Sequence, residues 1–390
     1  MKKLVYLDNN ATCMTSPSVR DAMMPYFNEF YGNPSSMHIF GEPAAKALKK
    51  AREQVAALLN AKPSEIIFTS CGSESNNHAL RGFLESYPKK NHIISTVVEH
   101  PAVLQTLKFL EKNKGCTLTL LPVDQNGNIS LEKLKEAVTT NTGLITIMSA
   151  NNETGVIYPI REIAEFAAEK GILFHTDAVQ AVGKIPIDLQ KTPVSMLSLS
   201  GHKLHTPKGI GALYIREGVK IHPFIIGGHQ ESGRRAGTEN IPYIVALGQA
   251  CQEAGQELKD GSLQKISALR NKLEQALVKQ ISNTKINGNV PNRLPNTTNL
   301  AFEFVEGEAI LLKLSELGIA GSTGSACASG SLDPSHVLTA MKLPYSFIHG
   351  SLRLSLSKFT TEEEIDYAIE HIPSVIQSLR EMSPFYTLPK

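Results

Sequence analysis

The sequence of 390 residues has no long apolar run and no long run of basic residues. Its first apolar stretch follows two lysines and stops at Asp8, which is too short for the core of a signal peptide, and no later stretch is long enough to span a bilayer. Lys and Arg number 39 and Asp and Glu number 37, so the net charge of +2 indicates no nucleic-acid surface. We therefore expect a soluble, cytoplasmic protein that binds neither a membrane nor nucleic acid.

Cysteine is also scarce. The five cysteines, at positions 13, 71, 116, 251 and 327, are widely spaced and form no CxxC pair, so neither a disulfide framework nor a structural zinc site is expected. Four of them are interpreted as ordinary small hydrophobic residues. Cys327 differs, because its surrounding segment GSTGSACASG (321–330) has little side-chain volume for a core and few strong helix formers.

What the sequence does contain is an alternation of short apolar runs with helical patterns between about residues 60 and 215. The runs are IIFTS (66–70), HIISTVV (92–98), LITIMS (144–149), GILFHTDA (171–178), MLSLS (196–200) and GALYI (211–215). This order predicts an α/β fold with a mainly parallel sheet that is covered on both faces. A polar interruption, KDGS (259–262), predicts a hinge to a smaller α+β domain, whose terminal helix begins at a capping box of Thr361 and Glu364.

Polar residues follow five of these apolar runs directly. The segments are CGSESNN, EHPAV, ANNETG, HTDAVQ and GHKLHTPKG. Because ligands of open α/β sheets bind beyond the carboxyl ends of the strands, we expect the five segments to converge on one cleft.

Three of these segments carry the parts that a pyridoxal phosphate site needs. In TSCGSES (69–75), a helix N-terminus with hydroxyl groups suits a phosphate, although a simple N-cap by Ser73 or Ser75 is the alternative. Asp177 follows a buried strand and could pair with a protonated ring nitrogen, or instead with the backbone or His175. Lys203 could form a Schiff base, unless it is a surface lysine. The pair His175 and Asp177 is too small a ligand set to predict a metal site.

Three further positions are ambiguous from their residue types. His100, at a strand end before a proline, could lie over a flat cofactor or be a buried histidine of the fold. Arg234 and Arg235, in a glycine-rich loop, suit an anion or a solvated surface equally well. Arg353 alternates with three leucines, so it could bind a substrate carboxylate or face solvent.

Taken together, the motifs resemble the cysteine desulfurases of the aspartate-aminotransferase superfamily (class V aminotransferase group), and most closely the NifS-type branch. The resemblance implies an aspartate-aminotransferase-like fold for the large domain. The resemblance covers essentially the whole chain. It is carried by YLDNNAT (6–12), YGNPSSMH (31–38), FTSCGSESNN (68–77), VVEHPAV (97–103), ANNETG (150–155), HTDAVQAVGK (175–184), SLSGHKLHTPKG (198–209), RRAGTEN (234–240), TGSACASGSLDPSH (323–336) and LRLSLSKFTTEEEID (352–366).

The resemblance implies a role for each matching residue. Lys203 would carry pyridoxal 5'-phosphate and remove the substrate's Cα proton, and Cys327 would be the nucleophile, with help from His100. The other cofactor contacts implied are Asp177 at the ring nitrogen, Asn152 and Gln180 at the ring oxygen, His100 stacked on the ring, and Gly72, Ser73, Ser200 and His202 at the phosphate. Thr238 would reach the phosphate of a neighbouring subunit, which implies a homodimer. Arg353, helped by Asn152, would bind the substrate carboxylate.

The implied reaction converts L-cysteine to L-alanine and leaves a persulfide on Cys327, whose sulfur passes to an iron–sulfur scaffold protein. The implied domains are a large one, 16–260, and a small one, 1–15 with 261–390, which carries a mobile loop at about 321–333. Departures from the family pattern are Cys13, Thr323, Ala328 and Lys358, and Cys13 suggests a second reactive thiol. A selenocysteine lyase, another class V enzyme and a catalytically silent sulfur-assembly scaffold remain as alternatives.

Overall fold

The computed structural model describes residues 3–323, 334–384 and 386. Cys327 and most of the loop predicted at about 321–333 therefore lie outside the described residues. The strands are β1 Val5–Tyr6, β2 Ile66–Thr69, β3 His92–Thr96, β4 Thr117–Leu121, β5 Thr142–Thr146, β6 Leu173–Asp177, β7 Met196–Ser200, β8 Gly211–Ile215, β9 Thr284–Ile286, β10 Thr297–Phe302, β11 Ile319–Ala320 and β12 Ser351–Ser355.

The helices of the described residues lie between and after these strands. They are α1 Pro17–Met23, α2 Pro25–Asn28, α3 Gly41–Leu59, α4 Gly72–Ser86, α5 Pro101–Lys114, α6 Leu131–Glu136, α7 Ile160–Glu169, α8 Ile241–Glu257, α9 Ser262–Gln280, α10 Gly307–Glu316, α11 His336–Ala340, α12 Tyr345–Ile348 and α13 Glu362–Glu381, with 3₁₀ turns at Pro63–Glu65, Gly201–Lys203 and Gln230–Gly233. None of the helices described here is both long and apolar enough to cross a membrane.

A seven-stranded sheet with the order β2-β8-β7-β6-β5-β3-β4 forms the centre of the fold. Only β8 runs antiparallel to its neighbours, so β2, β3, β5, β6 and β7 share one direction. The prediction of a mainly parallel α/β sheet is confirmed. Of the strands described in this sheet, β4 is the one that the apolar runs of the sequence did not predict. It is an edge strand that is exposed or half-buried over most of its length.

The inner strands are buried on both faces, which explains why they read as continuous apolar runs rather than as alternating ones. Strands β2, β3, β5, β7 and β8 are buried at every position. The side chains on the two faces belong to two clusters, a large one around Phe174 and Leu197 and a smaller one around Phe83 and Leu213. Burial at about 25 cal/mol per Å² of apolar surface makes these clusters the main stabilising contribution to the sheet.

A third apolar cluster joins the N-terminal strand to the last third of the chain. Val5 and Leu7 pack there with side chains of β12 and α13. The antiparallel sheet β12-β10-β9 and the parallel pair β1-β11 belong to this region. Helix α13 begins at the predicted capping box, in which Thr361 and Glu364 each accept the other's backbone N–H. The division into domains at 16–260 and at 1–15 with 261–390 stays a prediction.

The N-terminal segment after β1 runs from this cluster toward the central sheet. Asp8 forms a parallel bridge to Ser355 of β12. Asn9 donates its side-chain amide to the carbonyl of Ser355 at 2.9 Å, and the backbone N–H of Asn10 donates to the Ser355 hydroxyl at 2.9 Å. These bonds place Asn10 and Ala11 at the edge where the parallel strands end.

Candidate active site

The shared direction of β2, β3, β5, β6 and β7 brings their carboxyl ends to one edge of the sheet, and a cavity of about 330 Å³ opens there. The predicted site residues that line it are Gly72, Ser73, His100, Asn152, Asp177, Gln180, Ser200, His202, Lys203 and Arg353. The five polar segments therefore do converge on one cleft.

The N-terminus of α4 points its first turn at this cavity. The residue before the helix, Cys71, is extended and makes no side-chain cap. The hydroxyl of Ser75 bonds to Thr69 at 2.8 Å, and no hydroxyl caps the first turn, so the simple N-cap alternative is wrong. A Cβ on Gly72 would lie 2.7 Å from Cγ2 of Val179 and 3.3 Å from Cβ of Ser200. This crowding lets only glycine place the backbone N–H groups close to the cavity.

Asp177 ends β6 with its carboxylate in the cavity wall. One oxygen accepts the backbone N–H of Val179 at 3.0 Å and the other accepts the side-chain amide of Asn76 at 2.7 Å. The alternative pairing with His175 is wrong, because the ring of His175 bonds to Thr146 at 2.8 Å and to Ser198 at 3.0 Å. Burial lowers the pKa of His175 to about 3, so that ring is neutral.

Lys203 lies in the 3₁₀ turn after β7 and lines the cavity rather than the outer surface. Its Nζ donates to the backbone carbonyls of Asn10 and Ala11 at 2.5 and 2.6 Å. The amide nitrogen of Gln180 donates to the same Asn10 carbonyl at 3.0 Å. The N-terminal segment therefore holds two predicted site residues through one acceptor oxygen.

His100 caps the start of α5 and has a defined tautomer in its neutral form. Its Nδ1 accepts the backbone N–H of Ala102 at 3.1 Å, so the ring hydrogen lies on Nε2. Burial lowers the pKa of His100; the charge of Asp177 opposes this shift, and Lys203 and His336 add to it. A neutral ring with one N–H in the cavity wall follows from these contacts.

Arg353 lies in the middle of β12 and is only 2% exposed, so the solvent-facing alternative is wrong. Its Nη1 donates to the backbone carbonyl of Asn152 at 3.0 Å, and its Nη2 donates to Asp8 at 2.8 Å. Its Nε is buried without a hydrogen-bond partner among the described residues. Burial raises the pKa of Asp8, although Arg353 lowers it. The cavity wall therefore contains a buried cation that has at least one N–H without an acceptor among the described residues.

The loop of Arg234 and Arg235 is tied to its own chain. Arg235 forms an ion pair with Glu74 in the first turn of α4 at 2.9 Å, and Arg234 donates to the carbonyl of Ser64 at 2.8 Å. Because of these contacts, the loop is neither a free anion site nor wholly solvated. Thr238 is exposed and lines a different cavity of the chain, so it is not part of the wall of the main cavity.

The cysteines partly depart from expectation. Cys13, Cys116 and Cys251 are buried as expected, while Cys71 lines the main cavity. The suggestion that Cys13 is a second reactive thiol is wrong, because the residue is only 6% exposed and its Sγ donates to the carbonyl of Asn9 at 3.2 Å. Burial raises the pKa of Cys13, although nearby lysines lower it, so the unreactive thiol form is favoured.

The sequence interpretation assigned no role to four polar residues in or beside the cavity wall: Asp8, Asn10, Asn76 and Lys184. Asp8 and Asn10 belong to the quoted motif YLDNNAT and Asn76 to FTSCGSESNN, so their presence near the site was visible. Their partners were not, because each contact joins positions that are 100 or more residues apart. Within the described residues, no group of three His, Cys, Asp or Glu side chains could hold a metal ion.

Comparison with known proteins identifies the family. A family model described as Aminotransferase class-V matches residues 5–368. The cysteine desulfurase of Nostoc sp. is 54% identical over 382 residues, which are 98% of this chain and 95% of that protein. The chain belongs to the cysteine desulfurases of the class-V aminotransferase family. The predicted resemblance is thereby confirmed, and membership implies pyridoxal phosphate as the cofactor.

The NifS branch and the fold are supported by two further relatives. The cysteine desulfurase NifS of Azotobacter vinelandii is 51% identical over 384 residues, 98% of this chain and 95% of that protein. A solved structure of a NifS-like protein is 41% identical and superposes with a TM-score of 0.91 over 97% of this chain and 100% of that one. The predicted aspartate-aminotransferase-like fold is confirmed.

Proposed function

We propose that this chain is a pyridoxal phosphate-dependent desulfurase that converts L-cysteine to L-alanine and leaves a persulfide on Cys327. The observation that carries the proposal is the convergence of Lys203, Asp177, the uncapped N-terminus of α4 and the buried Arg353 on one cavity. A lysine, a carboxylate and an anion-binding helix end match the aldehyde, ring nitrogen and phosphate of this cofactor. The bound cofactor supplies an electron sink for the substrate's Cα electrons.

The residues that line the cavity have hydrogen-bonding groups that fit the parts of the cofactor. Gly72 and Ser73, with Ser200 and His202 beside them, would bind the phosphate, since the first turn of α4 lacks a side-chain cap. Asp177 is held in place by Asn76 and would keep the ring nitrogen protonated. Asn152 and Gln180 would bind the ring oxygen and His100 would stack on the ring.

The substrate would enter through its carboxylate. Arg353 is a buried cation whose Nε has no partner in the described part of the chain, so a second carboxylate finds a donor there. Asn152 lies beside Arg353, because its backbone carbonyl accepts a hydrogen bond from the guanidinium group. Lys203, once its amine is free, would take the Cα proton, because its Nζ already lies in the cavity wall.

Sulfur transfer then needs one nucleophile and one proton donor. The thiolate of Cys327 would attack the substrate sulfur, so that an S–S bond forms and the C–S bond breaks. The C–S electron pair stays on the substrate's Cβ, which takes up a proton. Lys203 would return the Cα proton, and the product would leave as alanine. His100 would hold or deliver a proton, since burial keeps its ring neutral with hydrogen on Nε2.

We extend the proposal to a homodimer that passes its sulfur to an iron–sulfur scaffold protein in the cytoplasm. Thr238 is exposed and lies outside the main cavity of its own chain, which agrees with a role at the phosphate of a partner subunit. Between residues 24 and 40, the structure exposes a group of large apolar side chains that a second copy would cover. They are Met24, Phe27, Phe30, Tyr31, Met37, Ile39 and Phe40.

Mass spectrometry after addition of L-cysteine tests this function. We expect one added sulfur atom on the peptide that contains Cys327, together with formation of alanine. Cys327→Ala should abolish the added sulfur, whereas Cys13→Ala, which removes a buried thiol, should keep it. Undiminished sulfur release by Cys327→Ala would contradict the mechanism. Pure protein without visible cofactor absorbance would favour a silent scaffold, and faster turnover of selenocysteine would favour a selenocysteine lyase.

A further inference from the structure

Lys184 is a half-buried lysine whose amine lies beside the cavity. Its Nζ donates to the side-chain oxygen of Gln180 at 2.9 Å. No carboxylate of the described residues lies within ion-pair distance of this amine. Lys184 and Glu257 both line a second, smaller cavity, but Glu257 is paired with Lys358 at 2.6 Å. Partial removal of an ammonium from water costs stability when no counter-charge compensates it, so the hydrogen bond to Gln180 is the contact that accounts for a lysine at this place.

The contacts of Gln180 leave its amide only one orientation. An ammonium can only donate, so the amide oxygen must face Lys184. A backbone carbonyl can only accept, so the amide nitrogen must face Asn10. Both neighbours demand the same orientation, and they do so independently of each other.

One N–H of Gln180 remains for a ligand. The amide nitrogen carries two hydrogens, and the described residues supply an acceptor for one of them, the carbonyl of Asn10. Because Gln180 lines the main cavity, its second hydrogen is available to an acceptor oxygen placed there. Donation from a charged lysine polarises the amide and strengthens the donor on its other side.

We propose that Lys184 is a positioning residue that holds the Gln180 amide as a donor to the ring oxygen of the bound cofactor, an inference that rests on the function proposed above. The lysine does not contact the cofactor in this arrangement and acts through Gln180. Burial lowers the pKa of Lys184 to about 8; Cys13 opposes the shift, and the charges of Lys203 and Arg353 add to it. The amine is therefore still mostly protonated near pH 7.

The pH titration of the holoenzyme's visible absorbance tests this assignment. A donor at the ring oxygen stabilises its anionic form and thereby lowers the pKa that the absorbance reports. Lys184→Met removes the charge with little change in volume, and we expect the titration midpoint to rise by about one pH unit. Lys184→Arg should stay near the parent, and Lys191→Met, which removes a lysine whose side chain is 83% exposed, should leave the midpoint unchanged.

A double-mutant cycle separates positioning from a direct charge effect. If Lys184 acts through the amide, Lys184→Met should shift the midpoint far less when Gln180 is already leucine. An equal shift in both backgrounds, or no shift in the parent background, would overturn the inference while leaving the proposed function intact. A parent protein without cofactor absorbance would overturn both. Thermal denaturation of each variant identifies any that fails to fold.

Discussion

The buried ion pair between Glu274 and Arg293 gives a prediction whose magnitude follows from its geometry. Glu274 lies in α9, and both of its oxygens accept from Arg293, at 2.6 and 2.7 Å. The two side chains are 5% and 2% exposed, and Thr298 adds a hydrogen bond to the carboxylate at 2.6 Å. Next to Arg293, Leu294 bonds to the carbonyl of Gly155, in the turn that follows Asn152.

Glu274→Gln keeps the shape of the side chain and removes its charge, which leaves a buried guanidinium without a counter-ion. Removal of one partner of a buried pair costs about 3–5 kcal/mol. Glutamine retains one acceptor oxygen, so we expect the lower end, about 3 kcal/mol, which is more than a hundredfold in the unfolding equilibrium. By contrast, exposed pairs contribute about 0–1 kcal/mol.

Urea denaturation of the holoenzyme, followed by circular dichroism, measures the difference. The matched control is Glu165→Gln, the same substitution in an exposed pair with Arg161, where the side chains are 45% and 72% exposed. The double variant Glu274→Met with Arg293→Met should recover much of the lost stability, because it leaves no unpaired charge. A midpoint of Glu274→Gln equal to that of Glu165→Gln would refute the reasoning.

Two further predictions concern the site and its surroundings. Gly72→Ala should weaken cofactor retention measured by dialysis, because its Cβ would meet Val179 at 2.7 Å; retention equal to the parent would contradict this. Burial raises the pKa of Glu99 from 4.5 to about 8. Between these values the folded carboxyl is protonated and the unfolded one is ionised, so this group lowers stability by about 1.4 kcal/mol per pH unit as pH rises. For Glu99→Gln, the free energy of unfolding measured at pH 6, 7 and 8 should lack this decrease. An equal pH dependence of the parent and the variant would contradict the assignment.

The strands could be predicted because burial on both faces imposes a simple pattern. Five buried strands of the central sheet lie within or overlap the predicted apolar runs, and β7 coincides with MLSLS. The edge strand β4 escaped because its residues are only partly buried and so carry no continuous apolar run. The capping box of Thr361 and Glu364 was visible because both of its bonds are local.

The location of the site was also predictable, because chain direction in a parallel sheet collects the segments that follow the strands. His100, Asp177 and Lys203 stand directly at or after strand ends and line the same cavity. The burial of Arg353 was not predictable from β12 alone. Its alternation with leucines is typical of a strand with one face in solvent, whereas the N-terminal segment covers that face and supplies Asp8 as a partner.

The family, the α/β sheet and the set of chemical groups could therefore be read from the amino-acid sequence, since motifs and periodicity are properties of neighbouring residues. The contacts between these groups became visible only in the folded chain. Three sets of contacts join segments that are distant in the sequence. Asn76 bonds to Asp177, Asp8 bonds to Arg353, and the carbonyl of Asn10 accepts from both Lys203 and Gln180. The orientation of the Gln180 amide is the clearest case, because it depends on a donor four residues away and an acceptor 170 residues away. Hydrogen-bond partners of this kind depend on how distant segments pack together, and a local sequence pattern does not predict that packing.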